Sequence, residues 1–380
     1  MDWGLDSPRV GALVSSPSDK TVTANPDSPG DADTCFGHLV DVLNGGMLAL
    51  MISVGDRTGL FGTMRSMTAS TSAQIAAAAE LDERYVREWL AAMTAGGIVA
   101  HDPVMKTFEL PSAYADALSR GLGGPTSVAG MCQHVAMLGK VEDRIVGHFR
   151  HGGGVQYETY QELWPGDDAY DLDAVDRMAV DHVLSLLPEI TERLGAGIDV
   201  ADVGCGSGIQ LNLLARQFPA SRFVGFELYE ASALRTARLV ADHHGLTNVR
   251  FQQRDATTLD GAEKFDLVLT FDAIHDQVRP DLALRGLARS LKPGGVYVGV
   301  DISGSSTLAN NLDDPLDVFK YAWSVMYCMT VSLAYRGMGL GTVWGEEVAR
   351  KMMTEAGFSD VRTEHLPGDL INCYHIASVH

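Results

Sequence analysis

The chain has 380 residues, 46% of them hydrophobic, which is enough for two or three domains with a sizeable core. Its 29 basic and 49 acidic residues leave a net charge of −20. This balance opposes binding to nucleic acid or to an anionic lipid surface, because such partners require clustered Lys and Arg. Five cysteines lie far apart with no CxxC pair, which is typical of a reducing cytosol and argues against a structural zinc site.

The sequence gives no sign of a membrane span or of a secretory signal. The longest uncharged apolar run, Tyr321–Tyr335, has 15 residues, whereas a span needs about 20. The first residues lack the basic start and apolar core of a signal peptide. We therefore expect a cytoplasmic protein without a membrane partner.

The first third of the chain predicts a tail followed by a mainly helical domain. Residues 1–34 are rich in Ser, Pro, Asp and Gly, so we expect them to be a disordered tail. Residues 35–155 then carry apolar side chains at helical spacing. One helix starts at Thr71, which has Gln74 close behind it, and the next starts near Asp82. The second of these is predicted to align four apolar side chains on one stripe: Tyr85, Trp89, Leu90 and Met93.

Two short strands, at residues 98–100 and 107–110, complete the outline of a winged helix. A helix that reads the major groove normally carries Arg, Lys, Asn or Gln toward the DNA. The helix after Asp82 instead mixes acidic and basic residues: Asp82, Glu83 and Glu88 against Arg84 and Arg87. We favour a packing or dimerisation module. The alternative of a ligand-sensing, DNA-binding regulator remains open.

Residues 156–380 are predicted to form a second domain of the α/β class. The glycines at 152–154 mark the boundary. An amphipathic helix is expected over residues 173–194, and short apolar strands then alternate with helices, which indicates a parallel sheet. These strands are expected at residues 198–203, 222–226, 249–252, 265–271 and 295–301. Two further strands, 361–365 and 372–378, predict an antiparallel pair at the end of the chain.

The strongest local signal is a glycine loop after the first of these strands, in the run 199–208 (DVADVGCGSG). Glycine lets a ligand approach the backbone at the mouth of a sheet. A dinucleotide fingerprint would need a glycine at position 209, where this chain has Ile209. Glu227 ends the next strand, 21 residues after Gly206, where a carboxylate can accept hydrogen bonds from two ribose hydroxyls.

The following strands also end in polar residues. The third ends near Asp255 and Ala256, where a carboxylate could accept from the exocyclic amine of adenine, and the fourth ends at Phe271 and Asp272. Each carboxylate could instead cap the helix after it. Open α/β sheets bind ligands at the carboxyl ends of their strands. Because polar residues follow several neighbouring strands at this edge, we favour a single ligand site there.

Together these residues resemble the class I S-adenosylmethionine-dependent methyltransferases over about residues 170–380. The resemblance rests on the 199–208 loop, Glu227, the Asp255 corner, the LKPGG run at 291–295 and the final strand pair. The N-terminal half is similar to the winged-helix dimerisation region of small-molecule O-methyltransferases. Many relatives have Asp where this chain has Glu227, which keeps the charge but reaches one methylene further.

The resemblance implies a Rossmann-like seven-stranded sheet, a homodimer formed through the N-terminal domain, and S-adenosylmethionine as cofactor with S-adenosylhomocysteine as product. It also implies a set of cofactor contacts. Asp202, Gly204 and Gly206 would line the methionine part, Glu227 the ribose, Asp255 and Ala256 the adenine, and Phe271 and Asp272 would close the near side.

His275, just after the fourth strand, is the candidate general base, because its ordinary pKa near 6.5 suits deprotonation of a phenol. The Ile274–Asp276 segment resembles the His-Asp pair of plant-type O-methyltransferases, and Asp301 could orient the imidazole. The alternative is that His275 only hydrogen-bonds the cofactor carboxylate or caps a helix.

An acceptor pocket is expected along the Tyr321–Tyr335 helix, from Trp323, Met326 and Tyr327, with His134 and Trp164 from the earlier part. A stripe of Met and aromatic residues also suits a plain core, and this alternative stays open. We expect a small aromatic or apolar acceptor that carries a hydroxyl. No metal is expected, because the remaining His and Glu pairs lack metal-site spacing.

Overall fold

The computed structural model describes residues 31–118, 128–163, 177–228, 233–262 and 264–380. The chain divides between Met47 and Leu48 into two units, and the described part of the first is the N-terminal half of helix α1. Most of the predicted tail lies outside the described residues. The prediction of a disordered tail was wrong for its last four residues, 31–34, because α1 begins at Asp31.

Before residue 164 the structure is mainly helical. The helices are α1 (Asp31–Arg57), α2 (Leu60–Arg65), α3 (Ser72–Ala79), α4 (Glu83–Ala95), α5 (Ser112–Leu118), α6 (Val128–Leu138), α7 (Glu142–His151) and α8 (Tyr157–Leu163), with the hairpin strands β1 (Ala100–Asp102) and β2 (Thr107–Glu109). Two of the predicted helix starts are confirmed. Thr71 and Gln74 form a capping box on α3, and the Asp82 carboxylate accepts the first amides of α4.

The buried face of α4 differs from the predicted stripe by one residue. Val86, Trp89, Leu90 and Met93 are buried, whereas Tyr85 is 81% exposed. The indole N–H of Trp89 donates to the carbonyl of Met51 at 2.8 Å, which ties α4 to the second half of α1. The prediction for Tyr85 was therefore wrong, because the 3.6-residue period continues back to Val86.

From residue 177 onward, helices pack on a sheet. The elements are α9 (Met178–Leu186), α10 (Pro188–Ala196), β3 (Asp199–Val203), α11 (Ile209–Gln217), β4 (Arg222–Glu227), α12 (Arg235–His243), β5 (Val249–Gln253), β6 (Phe265–Phe271), α13 (Pro280–Ser290), β7 (Leu291–Ile302), α14 (Asp317–Trp323), α15 (Met329–Ala334), α16 (Glu346–Ala356), β8 (Ser359–Glu364) and β9 (Asn372–Ser378). The single helix predicted over 173–194 is wrong within the described part. It breaks at Leu187, because Pro188 lacks the amide hydrogen that would continue α9.

The sheet has seven strands in the order β5-β4-β3-β6-β7-β9-β8. The first five strands are parallel, and β9 is antiparallel to both of its neighbours, as the sequence predicts. Successive residues of β3 enter cores on opposite faces, since Val200 packs with one cluster and Ala201 with the other. Both faces of the sheet are therefore covered, and open α/β sheets of this kind bind ligands at the carboxyl ends of their parallel strands.

The glycine-rich break after α7 is fastened to the later part of the chain. Gly152 and Gly153 have φ of 70° and 85°, in the left-handed region that favours glycine. The Val155 amide donates to the Thr330 hydroxyl at 2.9 Å, and a Cβ on Gly154 would lie 1.8 Å from the Thr330 carbonyl oxygen. The break therefore packs directly on α15.

A membrane span can be judged here by length and composition alone. Among the described residues, the Thr34–Arg57 part of α1 is long and apolar enough to cross a bilayer. One such helix near the N terminus is weak evidence for a membrane protein.

Candidate active site

The loop after β3 makes the sharp turn that its glycines predict. Gly204, Gly206 and Gly208 all have positive φ, at 79°, 51° and 69°. A Cβ on Gly204 would meet the Cβ of Ala273 at 2.6 Å, so only glycine fits between the loop and the end of β6. The Gly204 amide donates to the Phe226 carbonyl at 2.8 Å. This bond holds the loop against the neighbouring strand β4.

Two carboxylates lie at the end of β3 and β4. Glu227 is buried, and its two oxygens accept the backbone amides of Gly206 at 3.0 Å and Leu228 at 2.8 Å. Asp202 is also buried, and its Oδ1 accepts no hydrogen bond among the described residues. Burial, assisted by the charge of Glu227, raises the pKa of Asp202 to about 8. An unpartnered buried carboxylate oxygen beside a glycine loop is suited to a cationic ligand group.

The ends of β5 and β6 differ from each other. Oδ1 of Asp255 accepts the Thr257 amide at 2.8 Å and its hydroxyl at 2.7 Å, so this carboxylate caps a short 3₁₀ turn, while Ala256 lines the cavity described below. Asp272 has a positive φ of 47°. Asp272 is exposed toward the cavity, but the protein around its carboxyl displaces solvent, and this desolvation, with nearby carboxylates, raises its pKa to about 7.

A cavity of about 560 Å³ opens along these strand ends. Its lining includes eleven of the predicted site residues: His134, Asp202, Gly204, Gly206, Glu227, Ala256, Phe271, Asp272, His275, Trp323 and Tyr327. Three others, Asp255, Asp301 and Met326, are not part of the lining, and Trp164 lies outside the described residues. The cavity therefore joins the glycine-loop residues to the residues expected around the acceptor.

His275 sits between these two ends with a carboxylate at each ring nitrogen. Nδ1 lies 2.6 Å from Oδ1 of Asp301, and Nε2 lies 3.4 Å from Oδ1 of Asp276. Burial alone would disfavour the imidazolium, but the charges of Asp301 and Asp276 outweigh it and raise the pKa of His275 well above its ordinary value. The same attraction lowers the pKa of Asp301 despite its burial. Asp301 thus holds the ring in place from outside the cavity.

Aromatic side chains form the wall opposite the sheet. The rings of His134 and Trp323 lie 4.6 Å apart, those of Trp323 and Tyr327 5.5 Å, and those of Phe319 and Trp323 5.6 Å. A π-helical turn at Ser324–Cys328 joins α14 to α15. Met326 is not part of the cavity lining: it packs in a cluster that also includes Trp323 and Tyr327, and its carbonyl accepts the Tyr160 hydroxyl.

Among the further lining residues, Tyr157, Lys320 and Cys328 were not predicted from the sequence. Asp276 also lines the cavity, and the sequence indicated it only as the neighbour of His275 in the His-Asp pair. Lys320 is buried and fully engaged, because its ammonium donates to Asp314 at 2.6 Å and to Ser303. Tyr157 and Cys328 reach the site only through tertiary packing.

The residues present fit S-adenosylmethionine. The ammonium of its methionine part suits the unpartnered oxygen of Asp202, and its ribose hydroxyls suit the carboxylate of Glu227. The cofactor has no phosphate, in agreement with a glycine loop that carries no Lys or Arg.

Two family models match the chain. Residues 46–120 match an Rv2258c-like winged HTH domain, and residues 194–357 match a methyltransferase domain. Among curated relatives, a fatty-acid O-methyltransferase of Mycolicibacterium smegmatis is 34% identical over 28% of this chain and 37% of its own length. A ubiquinone biosynthesis O-methyltransferase of Ruegeria pomeroyi is 33% identical over 28% of this chain and 42% of its own length. The chain thus spans less than half the length of these relatives.

Solved structures extend the likeness in fold over nearly the whole chain. A putative O-methyltransferase of Nostoc punctiforme has a TM-score of 0.67 at 17% identity, covering 90% of this chain and 98% of its own. Human N-acetylserotonin methyltransferase, solved with S-adenosylmethionine, has a TM-score of 0.59 at 17% identity, covering 96% and 99%. The chain therefore combines a region that matches a winged HTH domain, residues 46–120, with a region that matches a methyltransferase domain, residues 194–357.

Proposed function

We propose that the protein transfers the methyl group of S-adenosylmethionine to a hydroxyl oxygen of a small aromatic or apolar acceptor. The observation that carries this proposal is the single cavity that joins the glycine loop and Glu227 to an aromatic wall, with His275 between them. The cofactor supplies a methyl group activated by its positively charged sulfur. The protein's task is to align the acceptor with that group and to exclude water.

The acidic end of the cavity would hold the cofactor. Glu227 would accept the ribose hydroxyls while it keeps its bonds to the Gly206 and Leu228 amides, since a carboxylate has about four acceptor positions. Asp202 would accept the ammonium of the methionine part. Ala256 and Phe271, which line the cavity, would pack against the adenosine. Asp255 would act there mainly by fixing the 3₁₀ turn that carries Ala256.

His275 would take the proton of the acceptor hydroxyl at Nε2, while Asp301 holds Nδ1 at 2.6 Å. Because its pKa is raised, the imidazolium must first lose its proton to solvent before it can act as a base. The acceptor would then lie against Trp323 and Tyr327, where aromatic faces favour a flat or apolar molecule.

The N-terminal region would serve in packing and homodimer formation rather than in DNA binding. On α4, Arg84 is paired with Glu88 and Arg87 with Glu83, so the helix presents no net basic face. Helix α1 exposes apolar side chains at helical spacing: Phe36, Leu39, Leu43 and Met47. Such an exposed apolar stripe suits packing against an apolar surface of a second copy of the chain. A cytoplasmic location is part of the same proposal.

The function is tested by supplying S-adenosylmethionine labelled in its methyl group with a panel of phenols and long-chain carboxylic acids. Transfer of label to a phenol supports the proposal, whereas label only in carboxylic acids contradicts the hydroxyl acceptor. His275→Ala should lower turnover by roughly 10²–10⁴-fold, with S-adenosylhomocysteine affinity nearly intact. The exposed His243→Ala is the matched control. A gel shift that detects salt-dependent DNA binding would favour the regulator instead.

A further inference from the structure

The acceptor side of the cavity contains three different metal-binding groups in one place. Among the described residues, His275, Asp276 and Cys328 have ligand atoms that all lie within 4.8 Å of one another. The three residues line the cavity but come from two distant parts of the chain, the loop after β6 and the π-helical turn before α15. The sequence gives no metal motif here because Cys328 follows His275 by more than fifty positions.

The spacing of these atoms suits a tetrahedral zinc ion. With Zn–N and Zn–O near 2.0–2.2 Å and Zn–S near 2.3 Å, neighbouring donors should be about 3.4–3.6 Å apart. Nε2 of His275 and Oδ1 of Asp276 are already 3.4 Å apart. The sulfur of Cys328 lies no more than 4.8 Å from either of these atoms, so it would need to approach them by about 1.2 Å at most.

The surroundings of the cluster are those of a metal site. Asp301 accepts at Nδ1 of His275, the outer contact that commonly orients a metal-binding imidazole so that Nε2 faces the ion. Oδ1 of Asp276 is buried and lies 3.4 Å from Nε2 of His275. A buried carboxylate is stabilised by a cation beside it, which here is either the protonated imidazole or a metal ion in the place of its proton.

We propose that His275, Asp276 and Cys328 form a Zn²⁺ site whose fourth position opens into the cavity. Thiolate and imidazole donors select zinc over magnesium or calcium. Binding displaces the thiol proton of Cys328 and any proton on Nε2, and both go to solvent. A second consequence rests on the proposed function: the ion occupies the Nε2 lone pair that His275 needs as a base, so zinc suppresses methyl transfer.

The site is tested by titrating the full-length protein with Co²⁺, whose thiolate charge-transfer absorption reports a metal–sulfur bond. All variants carry Cys35→Ala, because Cys35 is an exposed thiol. One equivalent should produce the band, and Zn²⁺ should abolish it. Cys328→Ala should eliminate the band, whereas Cys132→Ala, a matched change at another buried cysteine, should keep it. Absence of the band, or its survival in Cys328→Ala, overturns the site.

Two further measurements complete the test. Asp301→Asn should weaken Co²⁺ binding by 10- to 100-fold, the usual effect of removing such an outer contact, and an unchanged affinity contradicts the proposed geometry. S-adenosylhomocysteine binding verifies that Cys328→Ala is folded. Cys328→Ser is a second variant that removes the sulfur, and it should also lack the Co²⁺ band. If the Co²⁺ band forms but Zn²⁺ leaves the methyl-transfer rate unchanged, the metal site stands and the base role of His275 fails.

Discussion

Glu227→Gln is the substitution that tests the cofactor end of the cavity most sharply. The carboxylate accepts the Gly206 and Leu228 amides, and we propose that it also accepts the ribose hydroxyls. A hydrogen bond to a charged acceptor is worth about 1.5–3 kcal/mol, against about 0.5–1.5 kcal/mol for a neutral pair. Two ribose bonds would therefore lose roughly 2–3 kcal/mol together. At 1.4 kcal/mol per factor of ten, the affinity should fall roughly 30- to 140-fold.

The assay is calorimetric titration of S-adenosylhomocysteine and of its 2′-deoxyribose analogue into wild type and Glu227→Gln. The analogue should bind wild type more weakly but should lose little further affinity in the variant, because the two changes remove the same contact. Glu189→Gln, at an exposed glutamate of α10, is the matched control. Binding of S-adenosylhomocysteine to Glu227→Gln within about threefold of wild type would refute the ribose assignment.

Three further predictions follow from the same geometry. Burial raises the pKa of Asp202 to about 8, and the proposed contact with the cofactor ammonium favours the ionised carboxylate, so cofactor affinity should rise as the pH approaches 8. Calorimetry should find a flatter dependence of affinity on pH in Asp202→Asn. The same dependence in the variant and in wild type would contradict this contact. If His275 is the base, as we propose, it acts only when neutral, so turnover should rise with pH through a pKa above 6.5. Asp276→Asn removes a charge that raises this pKa and should move the midpoint of the pH–rate profile downward, whereas a fixed midpoint would be a contrary result. Gly154→Ala places a Cβ 1.8 Å from the Thr330 carbonyl oxygen and should destabilise the protein by about 1–3 kcal/mol, lowering its Tm; an unchanged Tm would show that this packing is easily relieved.

The α/β half was predictable because several levels of the sequence agree. Apolar runs bounded by polar ends predicted the strands, and the order of strands and helices predicted a mainly parallel sheet with a final antiparallel pair. The glycine loop and Glu227 could be located from spacing alone, because both lie at the carboxyl ends of neighbouring strands. Positions set by the local backbone and by strand order are thus within reach of sequence reasoning.

Side-chain direction on the acceptor side was less predictable because it depends on helix register. An ordinary α-helix would align Trp323, Met326 and Tyr327 on one broad face. The π-helical turn widens the local repeat, and Trp323, Tyr327, Cys328 and Val331 line the cavity while Met326 does not. The sequence between 324 and 328 contains no Pro or Gly that would signal such a turn.

Other differences arise from competing local bonds and from long-range contacts. Asp255 was predicted to accept from the adenine, but its Oδ1 already accepts hydrogen bonds from the amide and the hydroxyl of Thr257. Cys328 meets His275 only because α14 and α15 fold back over the strand ends, a contact with no local signature. The boundary predicted at residue 155 stays a prediction.

The most direct test of the central claim is a crystal structure of the protein with S-adenosylhomocysteine. We expect the product in the 560 Å³ cavity, with its ribose hydroxyls on Glu227 and its sulfur directed toward His275 and Trp323. Product bound elsewhere, or bound with its sulfur directed away from His275, would contradict the proposed methyl transfer.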